Sequence, residues 1–317
     1  MAVPVLGVLL VPVLLVAVVG AVLWAVLRRP EVTVRAGGHS TMLAVQRHTL
    51  IWRLVGVVVG FGVPLLVVSA LRPGPRSPLG LGRDLAVAPA VGAVLFLLAV
   101  VAGELTAPRA RARVRTATLR TRRVVDVLPP LLTATVGTGV VLLAAALAIG
   151  GLAGRPDDLG RAGRTLTATC TVAGAGLVQS SVGPWPGAFY VVPMGSGLLL
   201  AIVTAVAGLV VITRRPRPSA EDEELDTAMR RQSARNVLLG VGVVAFATLA
   251  PVLLAMAAAL HGNDCGPAWW DAAAAMMLPL AVACVLLAVW SLSSLLVTPG
   301  VRIRQVGEQP SSPVGSA

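Results

Sequence analysis

The feature that most limits the fold of this chain is a series of long apolar runs, with arginine-rich segments between alternate runs. The residues from Ala2 to Leu27 contain no charged side chain. A helix needs about 20 mainly apolar residues to cross the hydrocarbon core of a bilayer. Only 13% of the residues are charged, against roughly 25% in soluble domains. The sequence therefore predicts a polytopic membrane protein.

Seven apolar runs are long enough to be spans, and together they predict an all-α transmembrane helix bundle. The bundle is predicted to occupy residues 1–300, followed by a largely disordered cytoplasmic tail at residues 301–317. The first run is interpreted as a retained anchor; a cleaved signal peptide is the alternative and would leave six helices. The predicted spans are residues 3–27, 54–71, 85–105, 127–151, 191–213, 237–260 and 271–297.

The distribution of arginine predicts the orientation of the bundle. Of the 26 arginines, twenty lie in one alternate set of loops together with the C-terminal tail, and six lie in the other set. Loops rich in arginine stay in the cytoplasm, so we expect the N-terminus outside and the C-terminus inside the plasma membrane. Because the arginines adjoin apolar runs and lack interleaved aromatic residues, anionic lipid headgroups are the expected partner, and nucleic acid is not.

The longest predicted external loop, residues 152–190, has a strand-like pattern. Threonines recur at every second position from Thr165 to Thr171, and a glycine-containing turn leads to a second stretch that ends at Val182. Such a pattern is typical of a short β-hairpin. We expect the hairpin to form a lid on the bundle; a recognition surface for a small ligand or a cell-wall component is the alternative.

Two of the three cysteines, Cys170 and Cys265, fall in predicted external loops, whereas Cys284 falls in the last span. Cysteines outside the cytoplasm can oxidise, so Cys170 and Cys265 are candidates for a disulfide. The bond would fasten the long external loop to the short one at residues 261–270. The alternative is two unpaired side chains.

The predicted cytoplasmic loop 214–235 is the candidate site for a protein partner. Ser219, followed by acidic residues and then by arginines, is typical of a capped helix whose charges follow the helix dipole. A solvated helix that leads into the sixth span is the alternative. The candidate docking residues are Glu221, Asp222, Glu223, Glu224, Asp226, Arg230, Arg231 and Arg235.

The sequence contains no complete catalytic, cofactor-binding or metal-binding motif. It has three histidines, all in predicted loops, and no His-Glu-x-x-His zinc motif. The glycine-flanked Ser196 is similar to the serine of rhomboid-type proteases, but no histidine lies in a predicted span to act as its base. No ionisable residue is predicted at the middle of a span, which argues against proton-coupled transport. We expect no enzyme activity, no cofactor and no metal.

Three segments of the chain are distinctive: Gly103-Glu104-Leu105-Thr106, Pro184-Trp185-Pro186-Gly187-Ala188-Phe189-Tyr190 and Arg230-Arg231-Gln232-Ser233-Ala234. With them, the chain resembles a group of uncharacterised actinobacterial multi-pass integral membrane proteins. The resemblance implies a membrane topology and compartment, and it assigns no activity to any residue.

These observations together predict a non-catalytic membrane component of a larger assembly. The alternative is a stand-alone permease or exporter for a neutral or lipophilic solute. Such a solute path would be lined by backbone groups and hydroxyls, and the candidate hydroxyls are those of Thr133, Thr135, Thr138, Ser196 and Thr204.

Overall fold

The computed structural model describes residues 31–35, 39–62, 82–106, 124–174, 176–215, 223–296 and 300–304. The described part is mostly helical. Its helices are α1 (His39–Val57), α2 (Arg83–Leu105), α3 (Pro130–Ala153), α4 (Ala188–Arg214), α5 (Glu223–His261) and α6 (Trp269–Leu296). A π-helical turn, Val58–Gly62, continues α1, and a short 3-10 helix, Val124–Val127, precedes α3. The strands are β1 (Glu31–Arg35), β2 (Leu166–Val172), β3 (Gly176–Val182) and β4 (Gly300–Arg304).

Five helices are long and apolar enough to cross a membrane, which is compatible with a multi-pass membrane protein. They match five of the seven predicted spans. The first predicted span, residues 3–27, lies outside the described residues, and the second, residues 54–71, is described only as far as Gly62. The count of seven stays a prediction. The five segments are Ala86–Leu105, Pro130–Ala153, Ala188–Arg214, Asp226–His261 and Trp269–Leu296.

Helix α5 is the centre of the bundle and packs against α2, α3, α4 and α6. Within its apolar segment 78% is buried inside the protein, against 17% for α6. A helix that is apolar on all sides is expected at such a central place. The sequence predicted a helix in the loop before the sixth span, with a helix that leads into that span as one reading, and the structure joins this helix and the span in one helix of 39 residues. No glycine or proline lies between Glu223 and Leu239 to interrupt it.

Helix α1 runs antiparallel to α2, and glycines allow the two helices to approach closely. Trp52 lies against Gly103 near the end of α2, Gly56 lies against Phe96, and Gly60 lies against the backbone of Gly92. Residues 39–53, which were predicted as part of a loop, are therefore helical. Their packing on α2 explains the difference, because tertiary contacts stabilise a helix that its own composition leaves marginal.

Replacing Gly60 by alanine is expected to destabilise the bundle by about 1–3 kcal/mol. A Cβ atom at this position would lie 2.4 Å from the carbonyl oxygen of Gly92, and a backbone oxygen cannot rotate away. Thermal unfolding in a mild detergent would measure the loss. Gly62→Ala is the matched control, since a Cβ there meets no atom within 4 Å. Equal melting temperatures for the two variants would contradict the close approach.

Two small sheets accompany the helices. Strands β2 and β3 pair antiparallel from Leu166↔Val182 to Val172↔Gly176, which confirms the predicted hairpin. Strands β1 and β4 pair in parallel, with Glu31 opposite Gly300. Strand β4 takes in the first residues of the predicted disordered tail, and residues 305–317 lie outside the described residues.

Candidate functional site

The two ends of the bundle differ in charge. One end, named here the basic end, holds the last residues of α2 and α4 and the first turns of α5. Among the described side chains it carries seven arginines and three carboxylates. The opposite end carries the β2–β3 hairpin, with four arginines and four aspartates among the described side chains, and is named the hairpin end. Any site that needs an excess of positive charge therefore belongs to the basic end.

Glu104 is the first member of a buried charge cluster at the basic end. It lies in the last turn of α2 and is only 6% exposed. Its Oε2 accepts a hydrogen bond from Nη1 of Arg215 at 2.6 Å, and its Oε1 accepts one from the hydroxyl of Ser233. Arg215 follows α4 and Ser233 belongs to α5. One carboxylate thus holds three helices together.

Arg230 forms the second half of the cluster and caps the C-terminus of α4. Its Nε donates to Oδ2 of Asp226 at 3.0 Å. Its Nη1 donates to the carbonyl oxygens of Ile212 at 2.5 Å and Thr213 at 2.9 Å, and its Nη2 donates to the carbonyl of Arg215. The last carbonyls of a helix have no partner within the helix and carry partial negative charge. The guanidinium of Arg230 supplies these carbonyls with both hydrogen-bond donors and a positive charge.

Two of the candidate docking residues, Asp226 and Arg230, make their contacts inside the protein. Asp226 and Arg230 are each 2% exposed, so neither can contact a partner in this conformation. Arg231 is exposed and Arg235 is half-buried. Of the acidic candidates, Glu223 and Glu224 are the first residues of α5. Glu221 and Asp222 lie outside the described residues.

Sequence reasoning missed the cluster as a unit, although a signal was present. Glu104 lies at the end of an apolar run and Asp226 lies in the segment that leads into one, in a chain whose arginines are almost twice as numerous as its acidic residues. A carboxylate in that setting is expected to attract arginine, because the desolvation of a buried charge requires a partner. Which arginine pairs with each carboxylate depends on how α2, α4 and α5 pack together, and that packing cannot be predicted from any short stretch of sequence.

At the hairpin end, Cys170 and Cys265 form a disulfide, with Cα atoms 5.1 Å apart, and Cys284 is buried with a free thiol. Cys170 lies in β2, and Cys265 lies in the loop between α5 and α6. Beside the disulfide, Nδ2 of Asn263 donates to the carbonyl of Leu166 at 3.3 Å. The hairpin is therefore fastened directly to the central helix pair.

The segment between α3 and the hairpin is organised around Asp157. Its Oδ2 accepts hydrogen bonds from Nε of Arg161 at 2.7 Å and Nη1 of Arg164 at 2.8 Å. Burial alone would raise the pKa of Asp157, but the hydrogen bonds from the backbone and side chain of Arg161 and from Arg164 bring it below its ordinary value. The guanidinium of Arg164 also lies over the ring of Phe189 at the start of α4. These contacts fix the base of the hairpin.

The hydroxyls proposed for a solute path mostly bond within their own helices. Thr133, Thr135 and Thr204 donate to carbonyls four residues earlier, and Ser196 donates to the carbonyl of Pro193. Thr138 is exposed on α3. Among the residues that the structure describes, three other hydroxyls are buried and have no hydrogen-bond partner, and sequence reasoning did not single them out. They are Thr248 in α5 and Ser291 and Ser294 in α6.

Among the described residues no group of three His, Cys, Asp or Glu side chains is arranged to hold a metal ion. Nδ1 of His261 lies 2.9 Å from Oδ1 of Asp271, and both side chains are mostly exposed. The pair links the last residue of α5 to the first turn of α6. It is an exposed interhelical contact, and such pairs contribute little to stability.

Comparison with protein-family models, with curated proteins and with solved structures found no match for this chain. The similarity to the actinobacterial group stays a prediction.

Proposed function

We propose that this protein is a non-catalytic integral component of a larger assembly in the plasma membrane, with its basic end in the cytoplasm. The arginine distribution supports this orientation. The disulfide at the opposite end supports it as well, because disulfides persist in oxidising compartments.

The observation that carries the proposal is the length of α5 and the way its first turns are held. A helix of 39 residues is about 58 Å long, roughly twice the hydrocarbon thickness of a bilayer. The apolar part begins after Arg235, so about 20 Å of α5 precedes it at the basic end. Arg230 fixes one face of this extension to α4, and Ser233 fixes it to Glu104 of α2.

A rigid helical extension at a membrane surface is suited to hold a soluble partner. Its fixed face is occupied by the buried charge cluster, whereas Arg231 points to solvent from another face. The charged groups of the cluster are engaged in bonds between helices, which favours a structural role over catalysis. The partner is expected to contact Arg231 and the acidic residues 221–224.

Purification from native membranes in a mild detergent, followed by mass spectrometry, tests the proposal. We expect a soluble ATPase, kinase or regulator in stoichiometric amount. Arg231→Glu should release that protein, whereas Arg155→Glu, an exposed arginine at the hairpin end, should retain it. A homogeneous preparation without a partner would contradict the assembly role.

The alternative function, a permease or exporter for a neutral or lipophilic solute, is favoured by one observation. The hydroxyls of Thr248, Ser291 and Ser294 are buried without a partner in the two most closely packed helices. Buried polar groups normally bond to protein or water. A hydroxyl-bearing solute between α5 and α6 would satisfy them, and its binding would raise the melting temperature of the protein.

Ser291→Ala is expected to leave the stability unchanged or to raise it by about 1 kcal/mol, because it removes a buried hydroxyl that lacks a partner. Ser233→Ala is the matched control. It should cost about 1.5–3 kcal/mol, since that hydroxyl donates to the carboxylate of Glu104. Thermal unfolding compares the two variants. An equal loss in both would mean that Ser291 bonds a group such as a solute, and would favour the permease.

A further inference from the structure

The ring of Phe96 lies between α1 and α5. A Cβ atom at Gly56 of α1 would lie 3.0 Å from Cδ2 of this ring, and a Cβ atom at Gly240 of α5 would lie 2.9 Å from Cδ1. Cδ1 and Cδ2 are opposite edges of the ring, so the width of one side chain separates the two helices here. Phe96 is completely buried and fills the space between α1 and α5 at this depth.

Both helices carry an arginine on the basic-end side of Phe96. Arg53 lies three residues before Gly56 on α1, and Arg235 lies five residues before Gly240 on α5. At a rise of 1.5 Å per residue, they are roughly 5 and 8 Å nearer the basic end than the ring. The two arginines therefore lie at similar depth on neighbouring helices.

The positive charges of these arginines act on each other. Arg53 precedes the predicted span 54–71 and is only 4% exposed. Its burial and, after that, the positive charge of Arg235 lower the pKa of Arg53 to about 10. Arg53 therefore stays charged at neutral pH. Two like charges in a partly desolvated place repel each other, and an anion between them would relieve the repulsion.

The buried carboxylates of the neighbouring charge cluster are engaged with other arginines. Glu104 pairs with Arg215 at 2.6 Å, and Asp226 pairs with Arg230 at 3.0 Å. Each of these pairs is neutral as a whole. The cluster therefore does not offset the two positive charges that α1 and α5 place beside Phe96.

Two guanidinium groups at similar depth match the chemistry of a phosphate group. A guanidinium binds phosphate through two parallel hydrogen bonds, and a doubly charged phosphate balances two arginines. A bilayer lipid would approach α1 from its outer side, where Leu54 and Val58 are 43% and 65% exposed. The buried Arg53 is turned away from that side. A soluble phosphate compound is therefore favoured over a lipid headgroup, and the half-buried Arg235 is the group that it can reach from water.

We propose that Arg53 and Arg235 bind the phosphate group of a soluble molecule between α1 and α5, on the basic-end side of Phe96. This site is independent of the proposed assembly role, whose contact residue, Arg231, is exposed on α5.

Isothermal titration of the purified full-length protein with inorganic phosphate, in a mild detergent and a phosphate-free buffer, tests the site. We expect one phosphate to bind per chain. Arg53→Gln and Arg235→Gln should each weaken the binding by about tenfold, because each removes a charged hydrogen-bond donor from the anion. Arg231→Gln is the matched control and should bind phosphate as the wild type does, since it removes an exposed positive charge from the same helix.

Thermal unfolding separates loss of the site from loss of the fold. Without phosphate, Arg235→Gln should unfold at the same temperature as the wild type or above it, because the repulsion is relieved. Added phosphate should raise the melting temperature of the wild type and leave that of Arg235→Gln unchanged. An equal rise in both would overturn the site. Stabilisation by phosphatidylglycerol, with none by inorganic phosphate, would overturn the assignment to a soluble ligand.

Discussion

Replacing Arg230 by alanine is expected to destabilise the bundle by about 3–5 kcal/mol, the usual cost of removing one partner from a buried ion pair. The side chain is 2% exposed and donates to Asp226 and to three carbonyls at the end of α4. Its removal leaves a carboxylate in a buried site without this cation and opens the C-terminus of α4. Equilibrium unfolding in mixed detergent micelles would measure the change in free energy.

Arg231→Ala is the natural control for this experiment, because it removes the same side chain one position further along α5. Arg231 is exposed, so its loss should change the free energy of unfolding by less than about 0.5 kcal/mol. Arg230→Lys should fall in between, since it keeps the charge and loses the planar fork of donors. If both alanine variants unfolded alike, the cap on α4 would not contribute to stability.

Removing the disulfide is the second change with a large expected effect. The bonded cysteines are separated by 95 positions. The chain-entropy model assigns a loop of about that length roughly 4–5 kcal/mol, acting through the unfolded state. Cys170→Ser together with Cys265→Ser should therefore lower the free energy of unfolding by an amount approaching this value. Unfolding of the wild type with and without reductant gives an independent measurement.

The third cysteine supplies the control. Cys284→Ala should cost only about 1 kcal/mol, since it removes one buried atom and leaves the disulfide in place. Labelling of the denatured wild type with maleimide should modify one thiol before reduction and three after it. Three modified thiols without reductant would show that the bond does not form in the cell.

The parts of the fold that follow from local sequence were predictable. Apolar length located five helices, because a backbone in lipid must satisfy its hydrogen bonds within each helix. The alternating threonines located the hairpin, because side chains of a strand alternate between two faces. Each signal is contained in about ten to twenty residues, so no knowledge of tertiary packing is needed to read it.

The buried charge cluster was not predictable in the same way. Asp226 and Arg230 are four residues apart, a spacing that on a helix predicts an ion pair, and in the structure Nε of Arg230 lies 3.0 Å from Oδ2 of Asp226. The spacing could not predict that the same arginine reaches back to carbonyls near residue 213, because that contact depends on where α4 ends relative to α5. A solvated helix and a buried one have the same i,i+4 spacing, so the pair alone does not distinguish docking from packing.

The parallel pairing of β1 with β4 determines whether the chain between these strands crosses the membrane an odd or an even number of times. Two strands that share hydrogen bonds lie on the same side of a membrane, so the chain between Arg35 and Gly300 must cross an even number of times. If the five candidate helices each cross once, the count is odd and one more crossing is required. The only long apolar run left between those strands is residues 54–71, which begins within α1. Whether the N-terminus lies on the other side of the membrane from β1 and β4 depends solely on whether the run from Ala2 to Leu27 also crosses.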